Sequence, residues 1–170
     1  MVAVSQSVSA QVVIDMPRTA AWERLADLSL AHHYVPGIVR TEIVSAQPRG
    51  MGASRLVYRR SGGPIQETVD QWQEGTGFRI RLHRGDRPAP PFRNASFRYE
   101  LADEGGERTR LVTTLDYDMP WGILGRWLGV AMKGAVRRTV EDVATALKLY
   151  YESGRPTTPA ALQEYRRSAK

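Results

Sequence analysis

Cysteine is missing altogether from the 170 residues. That removes disulfides, thiolate nucleophiles and cysteine-based zinc sites from consideration. Histidine is nearly as scarce, with three residues at 32, 33 and 83 and no HExxH spacing. Adjacent His32 and His33 would point about 100° apart on a helix. They cannot easily share one metal, and no acid partner stands near them in sequence to make either a base. No metal site and no cofactor are expected. No apolar run approaches the roughly 20 residues that span a bilayer, so no integral membrane segment is expected. Met1 to Asp15 alternates polar and apolar residues, without a basic stretch followed by an apolar block. A secretory signal is therefore not expected, and the predicted location is cytoplasmic.

Lysine occurs only at 133, 148 and 170, so arginine supplies nearly all of the 24 basic residues that give a net charge of +6. The arginines are spread along the chain, many at alternate strand positions such as Arg79 and Arg81. That pattern reads as a solvated outer face, and no nucleic-acid partner is expected.

The longest feature present is the run Ile123 to Glu152. Leu128, Met132, Val136, Val140, Val143, Leu147 and Tyr150 recur at steps of three or four, with charged residues between them. This is the period of a helix with one apolar stripe. Before it come segments that alternate like half-buried strands. They are Ser7–Ile14, Val39–Ala46, Ser54–Arg60, Ile65–Trp72, Phe78–His83, Ala95–Leu101 and Arg110–Asp118. Two short helices fit between the first and second. One follows Pro17, with Ala21, Trp22, Leu25 and Leu28 as its stripe; the other runs from a Ser29 cap to Tyr34. Trp22 is expected as a core anchor. Gly154 and Pro156 stop the long helix. Beyond them Thr158 to Lys170 either forms a short helix with Pro159 in its first turn or frays.

The predicted fold is α+β: a seven-stranded curved antiparallel sheet around a long C-terminal helix, with two short helices after the first strand. Residues 1–154 form one domain and 155–170 a tail.

Ser61-Gly62-Gly63-Pro64 is a hairpin signal. If the hairpin closes symmetrically, Tyr58 faces Glu67 and Leu56 faces Val69. The shared face would then be apolar apart from a carboxylate beside a phenol. A buried carboxylate finds a donor or becomes neutral. Glu67 either bonds inside the protein and does nothing more, or orients the polar group of an oily ligand.

Several strings resemble the START-like, or helix-grip, superfamily, in particular its polyketide cyclase/dehydrase and lipid-transport branch. They are IDMPRTAAWERLADL, YVPGIVRTEIV, GMGASRLVYRRSGGPIQETVDQW, LDYDMPWGILGRWL and ALKLYYESG. Together they cover most of Ser7 to Gly154. The resemblance implies a cavity between sheet and helix that takes a hydrophobic or amphipathic small molecule. Its mouth would be formed by Tyr34–Ile38, Ser61–Pro64, Arg84–Asn94 and Met119–Leu124. Trp121 and Phe92 would be either lids or simple loop packing.

On the sheet, the expected ligand-binding residues are Leu56, Tyr58, Glu67, Val69, Phe78, Ile80, Phe97, Tyr99, Thr113 and Leu115. On the helix they are Leu128, Met132 and Val136. Three functions follow in order. The first is a carrier of a lipid, quinone, isoprenoid or polyketide-like compound. The second is a polyketide cyclase, aromatase or dehydratase with Glu67 and Tyr58 as acid/base groups. The third is a basic-surface module that binds a partner or an anionic membrane. A monomer or homodimer is expected.

Overall fold

Strict alternation of apolar and polar residues gives a strand two unlike faces, and burying the apolar one bends successive strands around whatever covers it. The computed structural model of the chain describes residues 5–119 and 122–168, with side chains described for 6–119 and 132–168. Strand β1 (Ser5–Ile14) leads into helix α1 (Arg18–Leu25), a single 3-10 turn (Leu28–Leu30) and the one-turn helix α2 (Ala31–Tyr34). Then come β2 (Ile38–Ile43), β3 (Ser54–Arg59), β4 (Ile65–Gln73), β5 (Gly77–Arg84) and the two-residue β6 (Arg87–Pro88). The chain continues through β7 (Asn94–Gly105), β8 (Arg108–Asp118), α3 (Gly122–Ser153) and α4 (Pro159–Ser168).

Seven strands pair antiparallel in the order β1-β8-β7-β5-β4-β3-β2, and β6 adds a short ladder to the end of β5. That ladder lies inside Arg84–Asn94, the stretch that the resemblance assigns to the pocket mouth. The fold is the α+β helix-grip arrangement that the resemblance implies.

The inner face of the sheet is built in rows that run across the strands. One row is Val69, Ile80, Phe97, Leu115 and Val8, each opposite the next in register. All five are buried. The next carries Trp72, Phe78, Tyr99, Thr113 and Ala10. Helix α3 lies against this face with Val136, Val140, Val143 and Leu147 buried, as its stripe predicts. At its last turn, Tyr151 is buried and Tyr150 only half so. The stripe therefore shifts by one residue from the predicted Tyr150.

Trp22 is an anchor, as expected. Its ring meets Trp72 edge-on at 5.0 Å, and an aromatic string continues from Trp72 to Phe78 at 5.5 Å and from Phe78 to Tyr99 at 5.2 Å. Both indole N–H groups, of Trp22 and Trp72, donate to Glu74 at 2.9 and 2.8 Å. The second short helical segment is capped by Asp27 rather than Ser29. The Asp27 carboxylate accepts from the Ser29 amide at 3.0 Å and from its hydroxyl at 2.6 Å. The Ser29 hydroxyl is thus used as a donor, and the His32 amide that it would have capped donates to the Thr41 hydroxyl at 3.1 Å instead. The tail is helical, with Leu162 buried.

Gly77 lies directly against β7, opposite Glu100. A Cβ there would lie 2.1 Å from the Tyr99 carbonyl oxygen. The obstacle is backbone, so the strands themselves must separate. Gly77→Ala is expected to cost about 2 kcal/mol or more. A fall in the urea midpoint with the slope unchanged would show it.

Candidate functional site

The β3–β4 hairpin determines which side chains enter the interior, and it closes differently from the symmetric expectation. The observed pairs are Ser54 with Thr68, Arg55 with Glu67, Leu56 with Gln66 and Val57 with Ile65. Relative to Tyr58 opposite Glu67, the register is displaced by three residues. An odd displacement turns every side chain of one strand to the other face. Leu56 and Tyr58 consequently lie on the outer face. Tyr58 donates its hydroxyl to Glu42 at 2.9 Å, and the Arg40 guanidinium stacks 3.6 Å from its ring centroid. Tyr58 is thus no partner of Glu67, and the acid/base pair expected from sequence is not formed.

Arg55 takes the inward place. Its side chain is 1% exposed, its Nε donates to Glu67 Oε2 at 2.6 Å, and its Nη1 donates to the Leu28 carbonyl at 2.7 Å. The third nitrogen, Nη2, is buried and has no partner. A buried cation survives when a counter-charge and good hydrogen bonds repay its lost hydration. Burial alone would pull the guanidinium down; the Glu67 carboxylate, then Tyr34 and Tyr99, more than reverse this and raise it above its ordinary value.

Two phenols, Tyr34 and Tyr99, lie beside this cation, and a third, Tyr151, adjoins those two. Tyr34 comes from the last residue of α2, Tyr99 from β7 and Tyr151 from the end of α3, each 1 to 2% exposed. The curvature of the sheet matters here, because β3 and β7 are not neighbours in it. Burial pushes all three hydroxyls up, Tyr99 and Tyr151 well above 10.0. Arg55 partly opposes that push on Tyr34 and on Tyr99. The Tyr34 and Tyr99 hydroxyls lie close enough to the guanidinium to feel it as a hydrogen-bonding neighbour, yet the Tyr34 and Tyr151 hydroxyls and Arg55 Nη2 are buried with no partner at full hydrogen-bond geometry.

Buried polar groups are nearly always paired. The guanidinium's own Nη2, the Tyr34 hydroxyl beside it and the Tyr151 hydroxyl next to Tyr34 make a place that presents hydrogen-bond donors to an oxygen. It is poor in bases: the phenols hold their protons more firmly than usual, the guanidinium is cationic, and Glu67 is committed to Arg55.

The other expected residues fall as follows. Val69, Phe78, Ile80, Phe97, Tyr99, Thr113 and Leu115 are buried on the inner face and Val136 is buried on α3. Thr113 donates to the Val140 carbonyl at 3.4 Å, which ties sheet to helix. Met132 is half-buried. Leu128 and Trp121 lie outside the described residues. Phe92 packs on Tyr117 at 5.1 Å.

His32 and His33 are used locally. Their Nδ1 atoms hydrogen-bond the hydroxyls of Thr41 and Tyr150, each at 3.1 Å. Among the described residues, no group of three His, Asp or Glu side chains is placed to hold a metal ion, and no helix is long and apolar enough to cross a membrane.

Sequence reasoning missed Arg55 and Tyr151, and gave Tyr34 only a place at the pocket mouth. Alternation gave no signal for Arg55, since Ser54, Leu56 and Tyr58 form the more apolar set on β3. Tyr34 and Tyr151 close their helices, where an aromatic residue fits either side.

Two outcomes follow. Glu67→Gln keeps the shape but strands a buried guanidinium, and is expected to cost about 3 kcal/mol. The double variant Arg55→Met/Glu67→Gln, measured by urea denaturation, should recover much of that loss. The raised phenols also carry a pH dependence. Below pH 10.0, their ordinary value, folded and unfolded chains both keep these protons. Above it the unfolded chain ionises while Tyr34, Tyr99 and Tyr151 do not, so stability falls as pH rises. Absorbance at 295 nm should show these three ionising together with unfolding.

Proteins of known structure share this fold. The START superfamily protein from Mycobacterium smegmatis is 19% identical, with a TM-score of 0.69 over 86% of this chain and 97% of that one. The Zhui aromatase/cyclase from Streptomyces is also 19% identical, with a TM-score of 0.66 over 98% of this chain and 97% of the other. Norcoclaurine synthase from Thalictrum flavum is 11% identical, with a TM-score of 0.67 over 88% and 94%. At these identities the likeness shows the fold alone. No curated protein sequence matches the chain. The family described as polyketide cyclase / dehydrase and lipid transport matches residues 5–152. The chain belongs to that family.

Proposed function

We propose that the protein binds an amphipathic small molecule by its oxygen-bearing end. The ligand's polar end meets Arg55 Nη2 and the hydroxyls of Tyr34 and Tyr151, and its apolar body lies along the aromatic and aliphatic side chains of the inner sheet face. The single observation that carries this is an ion-paired, buried guanidinium whose Nη2 has no partner, beside the equally unpartnered hydroxyl of Tyr34 and with that of Tyr151 next to Tyr34. Each such group left unpaired costs roughly 1–3 kcal/mol, so an oxygen that accepts from them gains what the empty protein forgoes. Donors without a base suit recognition of a carboxylate, carbonyl or phenolate. Membership of a lipid-transport and cyclase family agrees with a carrier of this kind, whether for a lipid, quinone, isoprenoid or polyketide-like compound.

A second reading is an enzyme of the cyclase type. The same donors would stabilise an enolate oxygen as charge develops on it. Glu67 serves that reading only by holding Arg55, and Tyr58 has no part in it. Proton abstraction would need a base from elsewhere in the chain.

Lauric acid and lauryl alcohol separate recognition of the polar end from simple burial of a chain. The wild type is expected to bind the acid at least ten times more tightly than the alcohol, since a hydrogen bond to a charged group is worth about 1.5–3 kcal/mol. In Arg55→Met/Glu67→Gln that preference should vanish with alcohol affinity little changed, as read by calorimetry. Equal binding of acid and alcohol by the wild type would defeat the proposal.

A further inference from the structure

The tail beyond residue 152, where the family match ends, builds a feature of its own. Between α4, the middle of α3 and the turn that joins α2 to β2 lies a cleft of about 400 Å³. Val39, Arg60 and Ala146 line it together with Leu162 and Gln163 of α4. Tyr34 lines it too. This is the same tyrosine whose unpartnered hydroxyl belongs to the Arg55 cluster. Cleft and cluster therefore share one residue, Tyr34, whose hydroxyl lies on the buried side.

Helix α4 is lightly held across this cleft. Leu162 is the one side chain it buries. Arg166 pairs with Asp142 at the surface. In the linker, the Thr157 hydroxyl donates to the Ala146 carbonyl at 2.7 Å, and its amide donates to the His33 carbonyl at 2.8 Å. One buried leucine and one exposed ion pair are a small hold. Segments held so weakly detach without global unfolding. A pivot is also present: Gly154, at a φ of +70°, ends α3, and Pro156 follows it.

We propose that this cleft is the entrance to the Arg55 cluster and that α4 is the door across it. The inference rests on the ligand-binding reading above and adds the route by which an amphipathic anion arrives. A door differs from a wall in what it changes. Holding a door shut slows arrival and departure equally and leaves the equilibrium alone, whereas altering a wall changes affinity, mostly through the dissociation rate.

The lack of cysteine makes a direct test possible. In the full-length chain, Asp142→Cys and Arg166→Cys can be bridged by bis-maleimidoethane, with the unbridged double variant as control. The probe is 1-anilinonaphthalene-8-sulfonate, an aromatic anion whose binding is followed by stopped-flow fluorescence. Bridging is expected to slow association and dissociation by about tenfold each while Kd stays within twofold. Leu162→Ala, which loosens α4, should speed both. Unchanged rates in the bridged protein would overturn the proposal. A changed Kd with an unchanged association rate would also overturn it, making α4 a wall. Arg55→Met/Glu67→Gln separates the two levels of the argument. If probe binding ignores that change, the ligand-binding reading fails and this inference with it. If binding depends on Arg55 while the rates ignore α4, only the door is lost.

Discussion

The interior of this protein is organised by one ion pair, Arg55 with Glu67, at 2.6 Å and almost wholly out of water. Everything around it follows from the need to keep a guanidinium comfortable in an apolar place. Glu67 supplies the counter-charge from the neighbouring strand, and the Leu28 carbonyl accepts the second bond from the turn after α1. The pair thereby joins the sheet to the helical segment that closes one side of it. Replacing such a pair with well-packed hydrocarbon is often neutral or stabilising, so its presence is weak evidence of a stability role. The nitrogen it leaves free, beside phenols that are equally unpartnered, gives the pair another use.

Most of the architecture can be read from periodicity. The long helix, the seven alternating strands and the core place of Trp22 follow from spacing alone, because burying one face of each element is the dominant gain on folding. The hairpin register does not. Ser61-Gly62-Gly63-Pro64 promises a tight symmetric turn, yet the last paired residues are Val57 and Ile65. Side-chain chemistry decides the matter. With Arg55 inward it meets Glu67, and Tyr58 outward meets Arg40 and Glu42. A pattern that scores each residue only as apolar or polar cannot see that two charges on adjacent strands satisfy one another. It sends Arg55 out and Tyr58 in.

The candidate site was legible in part for the same reason. Glu67 stood out as a carboxylate on an apolar face, and that reading holds, with a different partner. Tyr99 was visible because it alternates with charged residues on β7. Tyr34 and Tyr151 were not, since they lie near helix ends and reach the cluster only through tertiary packing. It also explains why the site is rich in donors: arginine and tyrosine are the polar residues that bring a large apolar surface with them.

The central claim is that Arg55 Nη2 and the hydroxyls of Tyr34 and Tyr151 hold the oxygen of a ligand. The most direct measurement is a high-resolution crystal structure of the protein soaked with lauric acid. The account predicts carboxylate density within about 2.7–3.2 Å of Arg55 Nη2 and of at least one of the two hydroxyls. An acid bound elsewhere, with Arg55 Nη2 bonded instead to Tyr34 or Tyr99, would contradict it.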